Sequence, residues 1–174
     1  MIPVALAPQR LILGVAGPRA AAARRVQMLR EGGATSIRRF CTETLPAHSV
    51  PATLSPLDLL WIVGLPVGSA AALIAAAHQA GALVNVEDQP ALCDFHNVAE
   101  LRRGDLLLTV STAGNSPGLA ARIRDRLGAS FGPEWAGRLA GISADRHRWR
   151  AAGLPIPELK RRTAAAVEAA GWLR

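Results

Sequence analysis

The chain has 174 residues, half of them hydrophobic, with few aromatics and no tyrosine. That suffices for one buried core, and the Ala, Leu and Val bias favours α/β or all-α packing over a β-sandwich. The formal net charge of +7 rests almost wholly on arginine, Lys160 being the sole lysine, so an anionic partner suits the chain as well as an Arg-biased genome does. Cys41 and Cys93 match no metal spacing and no CxxC motif, so neither a metal site nor a disulfide framework is expected. Residues 1–6 are apolar but lack the charged start of a signal peptide, and a cytoplasmic protein is expected.

In chain order, residues 10–17 form a short apolar run ending in glycines, and an Ala/Arg-rich helix is predicted over 18–31, stopped by Gly32 and Gly33. A second strand is expected over 34–41, carrying Arg38 and Arg39. Residues 42–56, rich in Pro, Ser and Thr, read as loop with room for one short strand. The continuous apolar run 57–64 reads as a buried strand, followed by an Ala-rich helix over 69–80 with Gly68 or Ser69 near its start. Interruptions at Gly64, Pro66, Gly68 and His78 exclude a membrane span there. Strands are predicted over 83–86 and 105–111, then helices over 119–127, 134–152 and 157–173.

Strands alternating with helices imply a Rossmann-like, doubly wound parallel sheet followed by a helical C-terminal region. The change in pattern suggests a domain over 1–112 and a helical dimerisation or lid region over 113–174. Right-handed crossovers would gather Gly14 to Gly17, Gly64 to Pro66, Asp88 and the 112–116 loop on one sheet edge.

Three loops there can carry chemistry. Gly14, Val15, Ala16, Gly17 and Pro18 approximate a dinucleotide-binding turn, in which amides at a helix start receive a pyrophosphate, but one glycine is missing. Asp88 follows a buried strand and precedes Pro90; it suits an acid/base role, or simply a turn-initiating Asp. Gly114, Asn115 and Ser116 lead into a helix with Ser116 as N-cap and Pro117 at its first position. A lone His96 carries little weight. No Gly-x-Ser-x-Gly elbow and no Walker lysine is present.

These segments together resemble the precorrin-2 dehydrogenase/sirohydrochlorin ferrochelatase family. The resemblance is strongest over 85–127, in "NVEDQPALCDF" and "RRGDLLLTVSTAGNSPGLAARIRDRL", and extends to "LILGVAG" and the helix after it. It implies NAD-dependent oxidation of precorrin-2 to sirohydrochlorin, with insertion of ferrous iron in some members. It makes Asp88 the key carboxylate, Gly64 and Leu65 part of the cofactor site, and Asn85, Gly114, Asn115 and Ser116 part of the tetrapyrrole pocket. It also implies a homodimer. From charge alone, Arg102, Arg103 and Arg122 are candidates to pair with the carboxylates of the macrocycle. Val63-Gly64-Leu65-Pro66 stands where the family has Ala-Thr-Asn or Ala-Thr-Asp, and Thr112-Ala113 where Thr-Gly or Ser-Gly is usual. The altered glycine turn and the Val63-Gly64-Leu65-Pro66 loop favour, as the alternative, a non-catalytic relative that binds or carries a tetrapyrrole, against which stands the retained Asp88. A nucleic-acid-binding domain ranks last, for want of a helix-turn-helix or an aromatic-basic surface.

Overall fold

A computed structural model of the chain describes residues 2–43, 56–66 and 68–173. Most of the loop expected over 42–56 lies outside them. The chain divides into two compact units, Met1–Asn97 and Val98–Arg174, whereas the sequence pattern places the change of architecture at 112/113.

The first unit alternates β1 (Ile12–Gly17), α1 (Arg19–Glu31), β2 (Ser36–Cys41), β3 (Leu59–Ile62), α2 (Ala71–Gln79) and β4 (Leu83–Val86). All strand pairs are parallel, in the order β2-β1-β3-β4. The chain steps from β1 to β2 on one side, then crosses to β3 on the other, so the topological switch lies between β1 and β3. Each face of the sheet carries a core. Ala16, Leu60, Ile62, Val84 and Val86 pack against Leu73 and Ala77 of α2. Leu13, Val15, Leu59, Trp61 and Val63 pack against Ala22 and Val26 of α1. Strands buried on both faces read as continuous apolar runs, which is why β1, β3 and β4 were visible in the sequence. Small residues set the strand spacing. A Cβ on Gly14 would stand 2.9 Å from a Leu60 methyl, and one on Gly17 only 2.1 Å from the Val63 carbonyl oxygen.

The edge of β4 is sealed by Cys93 and Asp94 rather than by a further strand among the described residues. Asp94 N–H donates to the Val84 carbonyl (2.8 Å) and its carboxylate accepts the Val84 N–H (2.9 Å). The Cys93 sulfur accepts the Val86 N–H (3.1 Å). Exposed edge groups would otherwise template pairing with another chain.

In the second unit the strand expected over 105–111 exists as β6 (Leu106–Val110), but it does not extend the parallel sheet. It pairs antiparallel with β5 (Ala99–Arg103), a strand the sequence reading missed. Gly104 and Asp105 connect them, with Gly104 at φ 57°; a glycine with positive φ at the first central position is what a two-residue hairpin turn asks for. Helices α3 (Pro117–Ser130), α4 (Trp135–Ala151) and α5 (Ile156–Ala169) follow.

Candidate functional site

Parallel strands place their C-terminal loops on one edge, so Gly17 and Pro18, Gly64 and Leu65, and Asp88 share the rim of the four-stranded sheet, as expected. The 112–116 loop follows β6 of the two-stranded sheet, so it does not continue a strand of the parallel sheet. Gly14, Val15 and Ala16 are likewise not loop residues: they lie inside β1 and are buried. The turn proper is Gly17 and Pro18. Pro18 is the N-cap of α1 instead of its first helical residue, and no side chain caps the helix. Helix α2 similarly starts from Ala70, one residue beyond Ser69.

At the switch point the two loops touch. Gly64, at φ 62°, packs so closely on α1 that a Cβ there would be 2.9 Å from the Ala21 Cβ and 3.5 Å from Pro18 Cδ. Leu65 packs on the α2-side core. A residue that sequence reading passed over completes this corner. Glu87 accepts the Gly64 N–H with Oε2 (2.8 Å), and its Oε1 lies 3.9 Å from the Arg25 guanidinium on α1. Burial holds the Arg25 pKa below its ordinary value, against the pull of Glu87. The only sequence signal for Glu87 was a charge directly after a buried strand.

Asp88 is exposed, adopts φ 58° and makes no hydrogen bond or ion pair among the described residues. Its carboxylate is free to meet a ligand. Asn85, three residues earlier, is not. It is 5% exposed, its amide nitrogen donates to the Phe95 carbonyl (2.8 Å) and the Cys93 sulfur (3.6 Å), and its oxygen accepts from Asn97 (3.0 Å). Trp61 Nε1 in turn donates to Asn97 (2.9 Å). The amide expected in a substrate pocket instead fastens the 93–97 segment to the sheet.

In the second unit, Ser116 accepts the Leu119 N–H (3.3 Å) as the N-cap of α3, with Pro117 following it as expected. Thr112 Oγ1 accepts the Ser116 N–H (3.1 Å), and the Asn115 amide donates to the Thr112 carbonyl (3.1 Å). Ala113 at φ 53° and Gly114 at φ 82° turn the chain between them. Two of the three arginines singled out are engaged: Arg102 pairs with Glu100 (3.0 Å), and Arg103 donates to the Phe131 carbonyl (2.8 Å). Arg122 is exposed on α3. A groove of about 810 Å³ along α4 and α5, lined by Arg146, Lys160, Val167 and Leu173 among others, includes none of the residues expected to act.

A parallel sheet with a switch point, a glycine turn and rim carboxylates defines a Rossmann-like α/β protein. The family model described as "Sirohaem biosynthesis protein central" matches residues 103–130, which run from the end of β5 through the whole of α3. The siroheme synthase of Methylococcus capsulatus is 44% identical over 92 residues, covering 52% of this chain and 19% of that protein. That of Thioalkalivibrio sulfidiphilus is 42% identical over 79 residues, covering 45% and 16%. The chain thus spans about a fifth of the length of these relatives. A solved structure of "SirC, precorrin-2 dehydrogenase" superposes with a TM-score of 0.70 at 17% identity, over 99% of this chain and 92% of that one. The fold class and the family resemblance expected from sequence are both borne out.

Proposed function

We propose that the chain is an NAD-dependent precorrin-2 dehydrogenase making sirohydrochlorin in siroheme biosynthesis. The observation that carries the reading is Asp88: an unpaired carboxylate held in a left-handed turn at the C-terminal rim of a parallel sheet, within the segment that resembles the family.

The residues at the switch point suit a dinucleotide. Helix α1 begins at the end of β1 with no side-chain cap on its first-turn amides, an arrangement that favours a diphosphate. The chemistry NAD+ would supply there is that of a hydride acceptor for oxidation of the macrocycle. Oxidation also releases a proton, which the Asp88 carboxylate would accept. Should ferrous iron be a further substrate, the same carboxylate would take the pyrrole protons that the metal displaces. Gly114, Asn115 and Ser116 would line the tetrapyrrole pocket, and Arg122, unlike Arg102 and Arg103, has its guanidinium available for a substrate carboxylate. A homodimer accompanies this reading.

The second reading, a relative that binds a tetrapyrrole without oxidising it, is favoured by the tight contact between Gly17 and Val63 and by the Glu87 carboxylate at the switch point. Anaerobic conversion of precorrin-2 with NAD+, followed by NADH formation and the sirohydrochlorin spectrum, separates them. Turnover by the wild type and loss of about 100-fold or more in Asp88→Ala is expected for a general base. A folded wild type that binds tetrapyrrole but produces no NADH would leave the carrier reading.

A further inference from the structure

We infer that Glu87 is a built-in competitor for the diphosphate of the dinucleotide, a carboxylate that already occupies the anion-accepting corner between β1 and β3 and thereby sets cofactor affinity. The inference rests on the dinucleotide reading above and concerns what this chain adds to it.

Side chains alternate along β4, so Val84 and Val86 enter the α2-side core, and Asn85 and Glu87 face the side of α1. Glu87 reaches across to the Gly64 amide at 2.8 Å. Gly64 itself lies against Pro18 and Ala21 at the start of α1, and the carboxylate on its N–H meets α1 at Arg25. The first turn of α1 has no acidic residue and no side-chain cap of its own. The positive end of a helix dipole attracts an anion, and Glu87 is the anion the fold brings to this corner.

Arg25 is the second sign. Its side chain is only 14% exposed, and among the described residues its one ion pair is the long contact to Glu87. A guanidinium drawn out of water needs a negative partner, and a phosphate would serve as well as a carboxylate. An entering diphosphate would claim the same positive field, and would meet the repulsion of Glu87 until that side chain swung away.

The test is calorimetric titration of the full chain with NAD+ and with ADP-ribose, using adenosine as a ligand without phosphate. Glu87→Gln removes the charge and keeps an acceptor for Gly64; Glu87→Ala removes both. Each is expected to bind NAD+ and ADP-ribose about five- to tenfold tighter than the wild type, with adenosine unchanged. The gain should shrink as salt is raised, because the repulsion it relieves is screened. Glu87→Asp, charged but too short to hold Gly64, is expected to show no gain. A gain in the Asp variant equal to that of Gln would mean that loosening the loop, and not charge, governs binding, and would overturn the inference. So would variants that bind no tighter than a wild type that does bind NAD+, an outcome that leaves the cofactor reading intact. If wild type and variants, all folded by circular dichroism, take up neither phosphate ligand at millimolar concentration, the dinucleotide reading falls and the inference with it.

Discussion

Among the described residues, two non-glycine ones stand in left-handed backbone, and they belong to the two loops assigned to chemistry: Asp88 at φ 58° and Ala113 at φ 53°. An L-residue there costs roughly 1–2 kcal/mol, less for Asp, whose side chain tolerates the region. Ala113→Gly relieves the strain but loosens the unfolded chain by about 0.4–1 kcal/mol. The net expectation is a stabilisation of about 0.5–1 kcal/mol, read as a shifted urea midpoint at unchanged slope. A destabilised variant would mean that Ala113 is not strained. Asp88→Gly separates strain from chemistry more sharply: it should unfold no more easily than the wild type while losing turnover, since strain at a functional turn is relieved by the same change that removes the base. Asn85 runs the other way. Cutting it to Ala leaves the half-buried Phe95 carbonyl and the Asn97 amide without their partner, and a loss of about 1–2 kcal/mol is expected in the same unfolding assay. From sequence, Asn85 and Asp88 look alike, two polar residues near a strand end. Only burial shows that one is structural and the other available.

Among the elements, strands buried on both faces were legible and those fixed by pairing were not. The runs over 10–17, 57–64 and 83–86 are apolar but for Arg10, Asp58 and Asn85, because α1 and α2 cover both faces of the sheet. Strand β6 is also apolar, and that misled: its company was decided by the Gly104 and Asp105 turn and by the alternation of exposure along β5, a short-range hairpin signal that outweighs the long-range βαβ pattern. Glu87 escaped notice because nothing local marks a carboxylate that will reach another loop. The seal on β4 was equally hidden, since its bonds come from the side chains of Cys93 and Asp94. It gives a pH prediction. Burial works to raise the Asp94 pKa, but the Val84 amide and His78, at 2.8 Å, outweigh it and hold the carboxyl below its ordinary range. A carboxyl whose pKa is lower folded than unfolded stabilises the fold above the unfolded value, about 4. That contribution is lost as pH falls through the folded value. Stability of the wild type should therefore drop below about pH 4 more steeply than that of Asp94→Asn, measured by urea unfolding across the acid range. Parallel curves would show that Asp94 carries no charge-dependent share.

Across the whole molecule, burial and charge are unevenly shared. Nearly all the buried hydrophobic side chains belong to the first unit; in the second, among the described residues, only Ala120 and Leu159 are buried, and α4 buries none. Thirteen of the twenty basic residues but only seven of the thirteen acidic ones follow Asn97, so nearly all of the net positive charge sits there too. A unit of this size that hides so little apolar surface is poorly stabilised alone. On α3, Leu119 and Ile123 lie one turn apart, 52% and 41% exposed, and form an apolar stripe at helical spacing. The homodimer of the proposed function would cover such a stripe, and it predicts concentration-dependent stability, because association favours the folded state by mass action. Light scattering at micromolar concentration should give twice the chain mass. Ile123→Asp should shift the protein to monomer and lower its thermal midpoint, while a substitution of the same kind on the exposed face of α1, such as Met28→Asp, should do neither. A wild type that stays monomeric, with a midpoint independent of concentration, would mean that this unit stands without a second copy and that its exposed stripe serves some other contact.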